Sequence, residues 1–148
     1  MSNQQSANEI RRVARILDEA TERQDVETVL SCFADEGEVE FFGLTFKGKD
    51  EIRRAIRWMY DSLGSTRFEP VNILVDGNVF FEEFVLHATP EGRALAIKAA
   101  EVLVYHDLKI ASLRLYFDRM ELARTLATGF IERLLVDRLE GITLRGLV

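Results

Sequence analysis

A chain of 148 residues with 47% apolar and 30% charged side chains fits one domain, long enough to bury roughly two-thirds of the surface its unfolded form exposes. That composition excludes general disorder, and no apolar run is long enough for a membrane-spanning helix. The net charge of −6, with basic residues scattered among acids, argues against a grip on nucleic-acid phosphates, so neither nucleic acid nor membrane is expected as a partner. Met1 to Ala7 lack the basic start and apolar core of a secretory signal, and a cytoplasmic location is expected. Cys32 is the only cysteine. It excludes an intramolecular disulfide and a cysteine zinc cluster, and reads as a small buried hydrophobe.

Ile10, Val13, Ala14, Leu17 and Thr21 recur at helical spacing, which predicts an amphipathic helix over 8–22 with Arg11, Arg12, Arg15 and Asp18 outside. Asp25 is placed to cap a short second helix through Val26, Val29, Leu30 and Phe33. The period changes over 38–46, where branched and aromatic residues predict a strand or a hairpin turning at Gly43. Helical spacing returns over 50–63 with the stripe Ile52, Ala55, Ile56, Met59 and Leu63, flanked by Tyr60, with Trp58 on the far side and Gly64 as the stop.

From Arg67 the chain reads as strands over 67–75, 78–88, 93–106 and 109–117, joined by short turns, so the sheet is mainly antiparallel. Asp118-Arg119-Met120-Glu121 has the form of a capping box and opens a last helical tract. Gly129 interrupts it, and an apolar stripe continues through Phe130, Ile131, Leu134, Leu135 and Leu139 into a tail ending at Val148. No internal repeat is present.

Two or three helices followed by a curved antiparallel sheet is the order of the cone-shaped nuclear transport factor 2-like fold. The chain resembles its SnoaL-like polyketide cyclase and ketosteroid isomerase branch. The likeness is carried by Asp25-Val26-Glu27 before Phe33-Ala34-Asp35-Glu36, by Phe46-Lys47-Gly48-Lys49-Asp50-Glu51-Ile52, and by Leu115-Tyr116-Phe117-Asp118-Arg119. It implies an α+β fold in which a curved, mainly antiparallel sheet wraps around the N-terminal helices as a cystatin-like α+β barrel. A single domain is expected over 1–148, with a core over about 8–128 and a C-terminal helical extension over about 129–148 that lies outside the resemblance.

The family implies a pocket between the concave sheet face and the helices, which serves isomerases, cyclases, hydrolases and plain binding modules. Its catalytic positions differ here. Where ketosteroid isomerases carry an aspartate base after a valine and a glutamate, this chain reads Val39-Glu40-Phe41, and Leu17 stands where those enzymes place an oxyanion-binding tyrosine. Epoxide hydrolases and several cyclases carry a carboxylate three residues before the closing aspartate, and here that position is Leu115. Asp118 matches the closing aspartate and is expected to act as a structural cap.

If Ala88 stands opposite Arg93, then Glu83 faces Lys98, and Glu82 and Glu101 fall on one apolar face as diagonal neighbours. Burial and mutual repulsion both raise carboxyl pKa values, so Glu82 and Glu101 are the candidate proton-transfer pair; bonding to polar groups on the helices, or a place at the open rim, is the competing account. The walls are expected from Leu17, Val39, Phe41, Met59, Tyr60, Phe80, Phe84, Ile97, Leu103, Tyr105, Leu113, Leu115 and Phe117. His87 and His106 fall on the convex face, so no metal and no cofactor are expected. Three readings follow: an acid–base enzyme acting on a small apolar cyclic or terpenoid-like molecule, a non-catalytic binding module for a hydrophobic ligand, and a dimeric assembly module. Exposed leucines in the tail also predict a homodimer.

Overall fold

The computed structural model describes residues 6–147. The polar start, apart from Ser6 and Ala7, and Val148 at the end of the tail lie outside those residues. Ser6 caps the first helix, α1 (Ala7–Glu22), through a reciprocal pair of bonds with Glu9, and Ile10, Ala14, Leu17, Ala20 and Thr21 form its buried stripe. Asp25 caps α2 (Val26–Ser31) by accepting from the Thr28 amide at 3.1 Å. Phe33 does not belong to this helix, contrary to its helical spacing from Val29. It opens β1 (Phe33–Phe41), which turns through Phe42 and Gly43 into β2 (Leu44–Lys47). Between Phe33 and Glu38 stand Ala34, the charged Asp35 and Glu36, and Gly37, which show no alternation of apolar and polar side chains and so no strand pattern.

The third helix, α3 (Lys49–Leu63), ends at Gly64, whose φ of 65° is open to glycine. A side chain there would also meet the Thr89 carbonyl oxygen at 2.5 Å. Then come β3 (Thr66–Asp76), β4 (Val79–Ala88), β5 (Leu95–His106) and β6 (Lys109–Phe117). The six strands form one open sheet in the order β2-β1-β6-β5-β4-β3. All neighbours are antiparallel except β1 and β6, which run parallel. The sheet curves over α1 and α3 as an α+β cone but does not close into a barrel. Pro70 sits on β3, an edge strand, at a register shift where its missing N–H disturbs no central ladder.

The β4–β5 register differs from expectation by two residues. Ala88 pairs with Leu95, so Glu82 lies directly opposite Glu101, Val85 faces Lys98 and Glu83 faces Ala100. The cause is the connection: Pro90–Gly92 forms a short 3-10 turn, and Arg93 and Ala94 stay outside the ladder. A shift by two preserves the faces, so the two glutamates keep to one side and come closer together. In the next hairpin Glu101 pairs with Leu115.

Two apolar clusters fill the interior. The larger joins α1, α2 and α3 to Phe80, Leu103, Tyr105 and Ile110; the smaller gathers Ala88, Leu95, Ile97 and Leu122 with Phe42 and Phe117 packed against it. Asp118 caps α4 (Arg119–Leu126) by accepting from the Met120 amide at 2.8 Å, one residue short of the capping-box bond. Gly129 starts a new helix, α5 (Phe130–Thr143), with its amide donating to Glu132 at 3.0 Å. No residue of α5 is buried, and Phe130 is 83% exposed. It packs against α4, with an Arg124–Glu140 ion pair between the two helices.

Candidate active site: an apolar cavity with an acidic end

Between the concave sheet face and the helices lies a cavity of about 140 Å³. That is the scale on which an apolar void of about 150 Å³ accepts a benzene-sized guest. Alternation along each strand supplies its walls: Phe84 and Leu86 from β4, Ile97 and Ala99 from β5, Leu113, Leu115 and Phe117 from β6, Val39 and Phe41 from β1. Leu17 of α1 and Met59 of α3 close it from the helix side, and among the described residues its polar lining is Asp18, Thr21, Thr66 and Glu101. The Thr21 hydroxyl is already committed, donating to the Leu17 carbonyl at 2.8 Å.

Of the residues expected on these walls, Tyr60, Phe80, Leu103 and Tyr105 are instead packed into the larger core cluster. There they share the core with the buried residues of α1 and α2. Glu82 is likewise behind the wall, only 1% exposed, whereas Glu101 reaches the cavity at 6% exposure.

One residue missing from the sequence reading completes the site. Asp18, assigned by its spacing to the outer face of α1, turns inward and lines the cavity. One carboxylate oxygen from each of Asp18, Glu82 and Glu101 lies within 4.8 Å of the others. Asp18 follows Ala14 by four residues and precedes Thr21 by three, which sets it on the flank of the stripe; α1 rolls far enough over the sheet to half-bury that flank.

The electrostatics follow from burial. Desolvation pushes the Asp18 carboxyl up to about 8, with Glu82, Glu22 and Glu19 adding repulsion. Desolvation, then Asp18 and Glu82, lift Glu101 well above the carboxylate range, and desolvation raises Glu82. Among the described residues both oxygens of Glu82 are buried without a hydrogen-bond donor, so bonding to polar groups on the helices does not account for it. The site therefore holds protons at neutral pH that ordinary carboxyls would have lost.

The other end of the cavity is aromatic. Phe41 stacks on Trp58 with ring centroids 5.9 Å apart, and Phe42 meets Phe117 edge-to-face at 5.0 Å. Trp58, expected on the far side of α3, is a cavity residue because the β1–β2 hairpin folds over that side of the helix. It remains 48% exposed and marks the open side.

A sequence profile of the SnoaL-like domain matches residues 13–113. The chain belongs to the SnoaL-like domain family. Solved structures agree on the fold. An NTF2-like protein of unknown function from Burkholderia pseudomallei superposes with a TM-score of 0.75 at 21% identity, covering 81% of this chain and 98% of that one. An LEH-like epoxide hydrolase from M. tuberculosis superposes with a TM-score of 0.68 at 19% identity, covering 93% and 96% of the two chains. No curated protein matches the sequence.

Proposed function

We propose that this SnoaL-like chain is a small-molecule enzyme that performs acid–base chemistry, of isomerase, cyclase or hydrolase type, on an apolar cyclic or terpenoid-like substrate, without a cofactor. The observation that carries this reading is the convergence of three carboxyl groups, Asp18 and Glu101 lining one end of a mostly apolar cavity and Glu82 beside them behind its wall. Glu101 and Asp18 are the groups positioned to touch substrate. Glu82 acts through them as a positioning residue, its proximity making the loss of a second proton costly. A protonated member donates to a substrate oxygen while an ionised neighbour takes a proton from substrate carbon or water, and proton exchange within the trio restores the starting state.

The test is turnover of a panel of cyclic enones and terpenoid epoxides by the wild-type chain and by Glu101→Gln, Asp18→Asn and Glu82→Gln. Loss of turnover in Glu101→Gln and Asp18→Asn, with circular dichroism unchanged, supports the assignment. Full turnover in both removes it. Because the acid is the protonated form, the rate should fall as pH rises through about 8, the value to which Asp18 is pushed.

A second reading is a non-catalytic hydrophobic-ligand module, favoured by Phe41 and Leu115 at positions where relatives of known chemistry carry acids. An apolar metabolite that leaves the purified protein chemically unchanged, with no turnover by the wild type, supports it. We infer separately that the exposed stripe of α5 joins two copies of the chain; a chain ending at Gly129 that stayed dimeric in sedimentation would remove that role.

A further inference from the structure

We propose that Asp18, Glu82 and Glu101 form a receptor for a primary ammonium group, so that the cavity selects small apolar amines over neutral molecules of the same shape. This rests on the cavity being the functional site but not on turnover. For three oxygens mutually within 4.8 Å, a point exists no more than about 2.8 Å from each, which is the length of an N⁺–H···O⁻ bond. A primary ammonium presents three N–H donors in a tripod and has no acceptor. One donor meets each carboxylate.

Two further observations point to a cation there. Glu82 is 1% exposed, its two oxygens accept no bond from any described residue, and one of them faces this point, an arrangement that costs folding free energy unless something fills it. The charged groups acting on the three acids are all acidic: each other across α1, β4 and β5, with Glu19 and Glu22 from α1. The Tyr105 hydroxyl on β5 is buried beside them without a partner. Three acids with no base among the groups that perturb them form a strong trap for positive charge.

A metal ion suits the surroundings less well. Hard divalent cations take six or more oxygen ligands. Beyond the acids, the cavity's described lining offers only the hydroxyls of Thr21 and Thr66. An ammonium needs just three acceptors, and its hydrocarbon body needs the apolar wall that Phe84, Leu115 and Phe117 supply. The aromatic faces of Phe41 and Trp58 lie toward the open side, where a ring on the amine would stack.

The experiment is calorimetric titration of the full chain at pH 6.5 with cyclohexylmethylamine, with its N-trimethylated analogue, with cyclohexylmethanol and with CaCl₂ alone, each in two buffers of different ionisation heat. The primary amine should bind at least tenfold more tightly than the alcohol and the trimethylated cation. It should release protons, because an arriving cation favours the ionised form of acids that hold their protons in the free protein. Glu82→Gln and Glu101→Gln should each weaken the amine at least tenfold, with unchanged circular dichroism as the check on folding. Equal binding of amine and alcohol overturns the proposal; so does equal binding of the primary and trimethylated cations, or a calcium ion that binds where the amine does not. If turnover of neutral substrates depends on Glu101 while the amine fails to bind, the acid–base function stands and only the ammonium receptor falls.

Discussion

The two ends of the cavity are built on opposite principles. At the inner end, Asp18, Glu82 and Glu101 sit within 4.8 Å of one another and Glu82 has no hydrogen bond, so the fold sustains an electrostatic cost there. At the outer end, Phe41, Phe42, Trp58 and Phe117 meet in favourable ring geometries, and Arg119 lies over the Phe42 ring at 5.4 Å. The difference teaches where chemistry and where affinity should be sought. Acids that destabilise the domain call for a role outside folding, whereas the aromatic end is already explained by packing.

The strongest test of that contrast is Glu101→Gln, which should lower kcat by roughly 10²–10⁴, the usual worth of a general acid or base, while improving thermal stability above neutral pH. A variant that lost activity and stability together would make Glu101 a structural residue. Between the two ends stands Phe84, 1% exposed and packed on Phe68 at 5.2 Å. Phe84→Ala should cost about 3–5 kcal/mol of unfolding free energy, measured by urea titration. A cost under about 1 kcal/mol would mean that the cavity wall is not part of the core.

The pH dependence of stability separates the ends without any substrate. Asp18 titrates at about 8 in the folded chain against 3.8 in its ordinary state, so the folded form keeps a proton that the unfolded form releases. Its contribution is therefore present below pH 4 and is lost as pH rises to about 8, with a slope of at most about 1.4 kcal/mol per pH unit for one proton. Glu101 adds in the same direction. Asp25, held low by its bond to Thr28, acts oppositely and only in acid. Chemical denaturation from pH 5 to 8 should show falling stability, flattened in Asp18→Asn; a flat wild-type profile would contradict the buried-acid assignment.

The smallest effect belongs to the outer end. Trp58→Ala should weaken an apolar ligand by about 0.5–1.5 kcal/mol, seen in KM or Kd, with kcat unchanged. Were kcat to fall instead, the aromatic end would have to touch the reacting atoms.

How much of this was legible in the sequence follows from how local each determinant is. Helices α1, α2 and α3 announced themselves through periodicity and caps. The presence of Glu82 and Glu101 on one face followed from alternation, which survives a two-residue register error but not a one-residue one. Their direct opposition did not, because it depends on the turn at Pro90 to Gly92. Asp18 was hidden for a different reason. A charged residue on the flank of an amphipathic stripe looks solvated until the roll of the helix is known, and that roll is set by the sheet. Trp58 was misassigned in the same way, its partner being a hairpin rather than its own helix.

The single parallel pairing has a kinetic consequence. Strands β3 to β6 are linked by short hairpins, but β1 reaches β6 only after some seventy intervening residues have been placed, joining Phe33 to Ile110 and Val39 to Leu113. Gly37 permits that approach, since a side chain there would meet the Ile110 carbonyl oxygen at 2.8 Å. Closing so long a loop is slow compared with zipping adjacent hairpins. The meander should therefore form first and β1 dock last. Phe41 and Val39 arrive with it, so the ligand cavity comes into being only at the final step of folding.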